Sequence, residues 1–92
     1  RLKKNIKPIK KGLDIIKELN GVSYEWTKES NMGENIKKFG LIAQQVQEII
    51  PEMVNIVSNT EDTLSLDYKE IIPFLIEAIK ELNTKVDNLN IK

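Results

Sequence analysis

The hydrophobic positions of this chain switch between helical and strand spacing, and each switch marks an element. Ile9, Leu13, Ile16 and Leu19 recur every three or four residues, the stripe of an amphipathic helix. Pro8 suits the first turn of that helix, and Asn20-Gly21 offers a left-handed stop. Val22 to Thr27 then alternates apolar and polar side chains, with β-branched and aromatic residues among them, which predicts a strand. The polar stretch Lys28 to Asn35, containing Gly33, predicts an exposed loop. Lys38 to Ile42 reads as a second strand. Ala43 to Ile50 reads as a short helix, with Val46, Ile49 and Ile50 on one face and Pro51 ending it. Val54 to Val57 and Leu64 to Leu66 are two short alternating runs, and the turn-rich Ser58 to Thr63 between them predicts a β-hairpin.

The last stretch has a different period. Asp67 with Glu70 three residues later has the form of a capping box, so a helix is expected from Asp67 to near the chain end. Pro73 is then expected to lie beyond the first turn and to kink the helix. Ile72, Leu75, Ile79, Leu82, Val86 and Leu89 follow 3-4-3-4-3 spacing, an a/d seam with isoleucine or valine at a and leucine at d. Ile71 and Ile76 fall off this seam and are expected to pack on the chain's own body. The seam could also fold onto that body, but residues beyond Leu82 have little body left to cover, which favours self-association. β-branched a positions with leucine at d lean towards two strands. The expected architecture is α+β: a small body over residues 1–66 with short antiparallel strands and helices, and a C-terminal coiled-coil helix over 67–92.

Composition narrows the chemistry. Ninety-two residues make one small domain with a modest core, a size at which oligomerisation often contributes stability. The chain has no cysteine and no histidine, which removes disulfides, thiolate metal sites and the commonest general base, so no cofactor or metal is expected. No apolar run reaches membrane-spanning length and no secretory signal is visible, so no membrane partner is expected. The first residue is Arg1 rather than methionine, which predicts a fragment of a longer polypeptide.

Charge is unevenly spread. Arg1, Lys3, Lys4, Lys7, Lys10 and Lys11 form a basic arm without acids, although the net charge is zero. Such an arm could track phosphates, but it lacks the aromatic side chains on which bases stack, so no nucleic-acid partner is expected. A neutral lysine in the arm could instead serve as general base to a serine hydroxyl. None of Ser23, Ser30, Ser58 and Ser65 lies in a sequence that marks a nucleophile.

Six segments in order carry a resemblance: Arg1-Leu2-Lys3-Lys4-Asn5-Ile6, Leu19 to Trp26, Phe39 to Val46, Ile50 to Val54, Leu66 to Pro73, and Glu77 to Leu82. Together they resemble the C-terminal intramolecular chaperone domain of phage endosialidases, tailspikes and neck appendages, the peptidase S74 family, over nearly the whole chain. The resemblance implies a homotrimer at the C-terminus of a viral fibre or spike. It would bring three chains together so that an upstream β-helical stalk, its client, can fold. It would then release itself by one serine–lysine cleavage in cis. The family motif reads Ser-Asp-x-Arg-Leu-Lys and is cut before the serine. Matched onto Arg1-Leu2-Lys3, it makes Lys3 the general base and puts the serine three residues before Arg1. Gln45 stands where the family more often has glutamate, and no chemistry is assigned to it.

The implied trimer is preferred to the dimer suggested by the heptads, because three heptads attached to a globular body do not fix stoichiometry. The implied setting is the host cytoplasm during viral assembly, with the precursor part of the virion fibre or tail. Lys28 to Asn35 and Ser58 to Thr63 are candidate arms for the client. Two neighbouring functions stay open: an uncleaved trimerisation or attachment domain of a fibre, and the related chaperone domain of membrane-bound transcription factors.

Overall fold

The computed structural model describes residues 2–27, 36–56 and 64–90. Element order is α1 (Gly12–Glu18), β1 (Val22–Glu25), β2 (Lys37–Gly40), α2 (Ala43–Ile49), a 3₁₀ turn (Pro51–Met53), β3 (Val54–Ile56), β4 (Leu64–Leu66), a second 3₁₀ turn (Tyr68–Glu70) and α3 (Ile71–Asn90). The architecture is α+β, as expected. The chain divides into two compact units, Arg1–Glu18 with Asp67–Lys92, and Leu19–Leu66. Both candidate client arms, Lys28 to Asn35 and Ser58 to Thr63, lie outside the described residues.

Within Leu19–Leu66 the strands form two antiparallel pairs. In the first, Val22 faces Gly40, Ser23 faces Phe39, Tyr24 faces Lys38 and Glu25 faces Lys37. Glu25 opposite Lys37 sets unlike charges across the ladder, which favours this register. Tyr24 and Trp26, two residues apart and so on one face, meet edge to face with ring centroids 5.3 Å apart. In the second pair Val54 faces Leu66 and Ile56 faces Leu64, the hairpin expected from the alternation.

α2 packs on this hairpin. It ends at Ile50, whose N–H donates to the Val46 carbonyl at 2.7 Å, and Pro51 opens the 3₁₀ turn. Pro51 cannot extend the α-helix ladder, so the turn tightens and carries Met53 inward beside Val46 and Ile50. These three side chains are buried, Met53 completely.

Within Arg1–Glu18 and Asp67–Lys92, α1 packs on α3. Gly12, the first residue of α1, is buried. A Cβ built there would lie 3.1 Å from the Ala78 nitrogen, the Phe74 carbonyl oxygen and the Glu77 Cβ. The contact is therefore of backbone on backbone, and Ala78, also buried, keeps the facing side chain small.

Several local expectations need correction. α1 begins at Gly12, not near Pro8, because Lys11 adopts φ 60° and breaks the helical path just before it. Gly21 is not left-handed, so the stop expected there does not form. Asp67 makes no side-chain cap; the Glu70 N–H donates to the Asp67 backbone carbonyl instead, and a 3₁₀ turn precedes α3. With α3 starting at Ile71, Pro73 falls within its first turn, where a missing N–H costs little and no kink is required. Ile76, expected to pack inward, is 51% exposed, whereas Ile71 is half-buried.

Two substitutions test these contacts. Met53→Ala removes a fully buried side chain and is expected to cost about 2–5 kcal/mol. Gly12→Ala forces a methyl group against backbone that cannot rotate away, and should cost about 1–3 kcal/mol despite alanine's better helix propensity. Urea denaturation at one fixed protein concentration measures both, and an unchanged midpoint for Gly12→Ala would contradict the backbone contact.

Candidate functional site

The candidate site is built on the unit containing the N-terminal arm and α3. Residues 2–11 have no regular secondary structure. Lys3, Lys4, Lys7, Lys10 and Lys11 are all exposed, as are the apolar Leu2 and Ile6, while Ile9 is half-buried. Arg1 lies outside the described residues. Asn5 and Lys11 take left-handed backbone conformations, φ 55° and 60°. Asparagine tolerates this region, but for lysine it carries a cost, so the turn at Lys11 must be held by its surroundings.

The holding contact comes from α3. The Glu81 carboxylate accepts the Gly12 N–H on Oε2 at 2.8 Å and the Leu13 N–H on Oε1 at 3.3 Å. Helices normally satisfy such first-turn donors with a serine, threonine, aspartate or asparagine just before the helix. Lys11 occupies that place and has no accepting side chain, so a carboxylate from another helix does the capping. The negative charge also sits favourably at the N-terminal end of α1. Neither Gly12 nor Glu81 was singled out from the sequence. The available signals were the lack of a local cap before Gly12 and the spacing of Phe74, Ala78 and Glu81, which share one helical face distinct from the heptad seam.

That spacing divides the surface of α3. Ala78 and Glu81, with the backbone at Phe74, meet α1. The seam residues Ile72, Leu75, Ile79, Leu82, Val86 and Leu89 point about a quarter-turn away and are between 38% and 79% exposed. Ile76 widens this apolar surface at its N-terminal end. The remaining surface is polar: Lys80 pairs with Glu77 at 3.3 Å, Asn83 donates to Asp87, and the Thr84 hydroxyl donates to the Lys80 carbonyl.

Other residues contribute less. Ser23 and Ser65 belong to the Leu19–Leu66 unit, in β1 and β4; Ser30 and Ser58 are outside the described residues. Gln45 is exposed on α2. Among the described residues no cluster of three or more acidic, histidine or cysteine side chains could hold a metal ion. No described helix is long and apolar enough to cross a membrane.

Comparison with known proteins gives a consistent result. The family model described as chaperone of endosialidase, peptidase S74, matches residues 1–55. The chain is 39% identical to the long tail fiber protein Gp37 of Enterobacteria phage K3 over 98 aligned positions, covering all of this chain and 8% of that protein. It is likewise 39% identical to Gp37 of Enterobacteria phage T2, covering 7% of it, and 33% identical to Gp37 of Salmonella phage S16, with 90% of this chain against 12% of that protein. The chain thus spans a small fraction of the length of these relatives.

The strain at Lys11 is open to test. Lys11→Val places a β-branched residue at φ 60° and should destabilise the protein by about 1–2 kcal/mol. Lys11→Gly should be neutral or slightly stabilising, since glycine takes this conformation without steric cost. Urea midpoints that fall equally for both variants would contradict the left-handed turn.

Proposed function

The chain belongs to the chaperone-of-endosialidase family, and we propose that it is the intramolecular chaperone of a phage fibre protein, trimerising through α3 so that an upstream stalk can fold. One observation supports this reading above the others: α3 spends one face on α1 and leaves a complete heptad seam exposed. Such a seam is too apolar to remain in water and is spaced for helices of other copies. Long fibres built from three chains fold slowly, because distant segments must meet in register while exposed edges invite aggregation. Joining the chains at one end turns a three-body search into a local one, at an effective concentration of about a millimolar. The match to long tail fiber proteins supports a fibre stalk as the client.

The proposed release step is self-cleavage. A serine three residues before Arg1 adds its hydroxyl oxygen to the carbonyl carbon of the residue preceding it. Lys3 takes the hydroxyl proton as general base and passes it to the departing amine. Water then hydrolyses the resulting ester, giving a new carboxylate and restoring the hydroxyl. The exposure of Lys3 on an arm without regular structure is compatible with its meeting an upstream residue. Once the tether is cut, the finished stalk persists through its own unfolding barrier.

Light scattering over a dilution series should give the mass of three chains. Ile79→Asp, which puts a charge at the centre of the seam, should shift it to one. A wild-type monomer at every concentration would overturn the assembly reading. In a precursor carrying the preceding stalk segment, Lys3→Ala should abolish the appearance of the two cleavage products on a gel. Undiminished cleavage in that variant would remove Lys3 from the chemistry.

A further inference from the structure

We infer that Glu81 is a positioning residue for self-cleavage, tying the arm that carries Lys3 to the assembly helix, so that cutting follows trimerisation. The inference rests on the self-cleavage reading above and deepens it. The arm and α3 belong to one compact unit. Lys3 lies nine positions before Gly12, and the chain between them runs into α1 through the left-handed turn at Lys11. Directly after that turn, Glu81 holds two successive N–H groups, those of Gly12 and Leu13. Both carboxylate oxygens are engaged, one on each donor, which fixes the orientation of the first turn of α1 as well as its distance from α3.

Glu81 is adjacent in sequence to Leu82, a seam residue, but it points to the α1 face rather than the seam. Anything that orders this part of α3 therefore orders the carboxylate, and through it the root of the arm. A lone helix with an exposed apolar seam gains most of its stability from packing. In the proposed trimer the seam is packed, α3 is held along its length, and the arm leaves from a fixed point. The two bonds from Glu81 are already made in the single chain, and packing of the seam in the proposed trimer would hold them, and with them the root of the arm, more rigidly. Catalytic proton transfer is sensitive to such placement, since a displacement of about 1 Å can cost about a hundredfold in rate. Glu81 touches neither the serine nor the bond that is cut, so its role is positional.

The test uses the full precursor made by cell-free translation, with cleavage followed from the end of synthesis as a function of pH, and chain stoichiometry measured by light scattering. Glu81→Ala should slow cleavage by about tenfold or more while the mass stays that of a trimer. Glu81→Gln, which keeps one accepting oxygen in place, should recover part of the rate. The pH midpoint of cleavage should be the same in all three proteins, because the general base is unchanged. Cleavage of Glu81→Ala at the wild-type rate, with Lys3→Ala inert, would overturn this inference and leave the self-cleavage reading standing. Cleavage in Lys3→Ala would overturn the reading beneath it. If both Glu81 variants lose the trimer along with cleavage, Glu81 is a stability residue only and the inference fails.

Discussion

The absence of a side chain at Gly12 governs the unit that carries both the arm and the seam. Without a Cβ there, the first turn of α1 rests against the backbone of α3 near Phe74 and Ala78. At that range the Glu81 carboxylate can bridge the Gly12 and Leu13 N–H groups. A larger residue would push α1 outward, lengthen those bonds and leave two first-turn donors without their acceptor. The strained backbone of Lys11 is tolerated in the same place. One small residue therefore sets a helix position, a cap and a turn together.

The same contact determines what α3 can offer to other molecules. A helix that is apolar all round has to be buried, so one that meets a partner on one face keeps definition on another only if polar surface remains between them. α3 turns Ala78, Glu81 and the backbone at Phe74 towards α1. On the seam, Ile72, Leu75, Ile79, Leu82, Val86 and Leu89 lie exposed. Ile76 broadens the seam near its start, and a wider apolar strip suits more than two helices better than a strict a/d strip does.

Periodicity made much of the fold legible. The alternation at Val22 to Glu25 and at Val54 to Ile56, the helix stopped before Pro51, and the 3-4 spacing in α3 each reflect a local rule strong enough to survive in the folded protein. The failures occurred where tertiary contact outweighed local preference. Pro8 and Ile9 satisfy helix rules, yet the chain turns left-handed at Lys11 and begins its helix at Gly12, because the docking of Gly12 and its bonds to Glu81 are available only there. Asp67 and Glu70 have the letters of a capping box, but the chain leaves β4 directly into a 3₁₀ turn that presents the Asp67 carbonyl to the Glu70 N–H. The Gly12–Glu81 pair was invisible for a plain reason: its members are 69 positions apart, and no spacing rule links them. The chemistry proposed for Lys3 was legible only as family resemblance, since an exposed lysine among lysines carries no local mark of its role.

Size connects the remaining observations. Among the described residues the buried hydrophobic side chains are Val46, Ile50 and Met53 in one unit and Ala78 in the other. A chain of under a hundred residues buries a limited share of its surface and is correspondingly marginal by itself. Association through an exposed seam adds stability by mass action, so in the proposed trimer folding and assembly become one equilibrium rather than two. That linkage suits an intramolecular chaperone. A module fully stable alone would be competent to cut before its client had been gathered. One whose assembly helix is completed only by its partners would, on the proposed reading, hold the arm in place at the stage when three stalks are together. In the proposed scheme, marginal stability of the single chain would act as a timing device, and the carboxylate bridge to α1 would be the contact through which the timing reaches the arm.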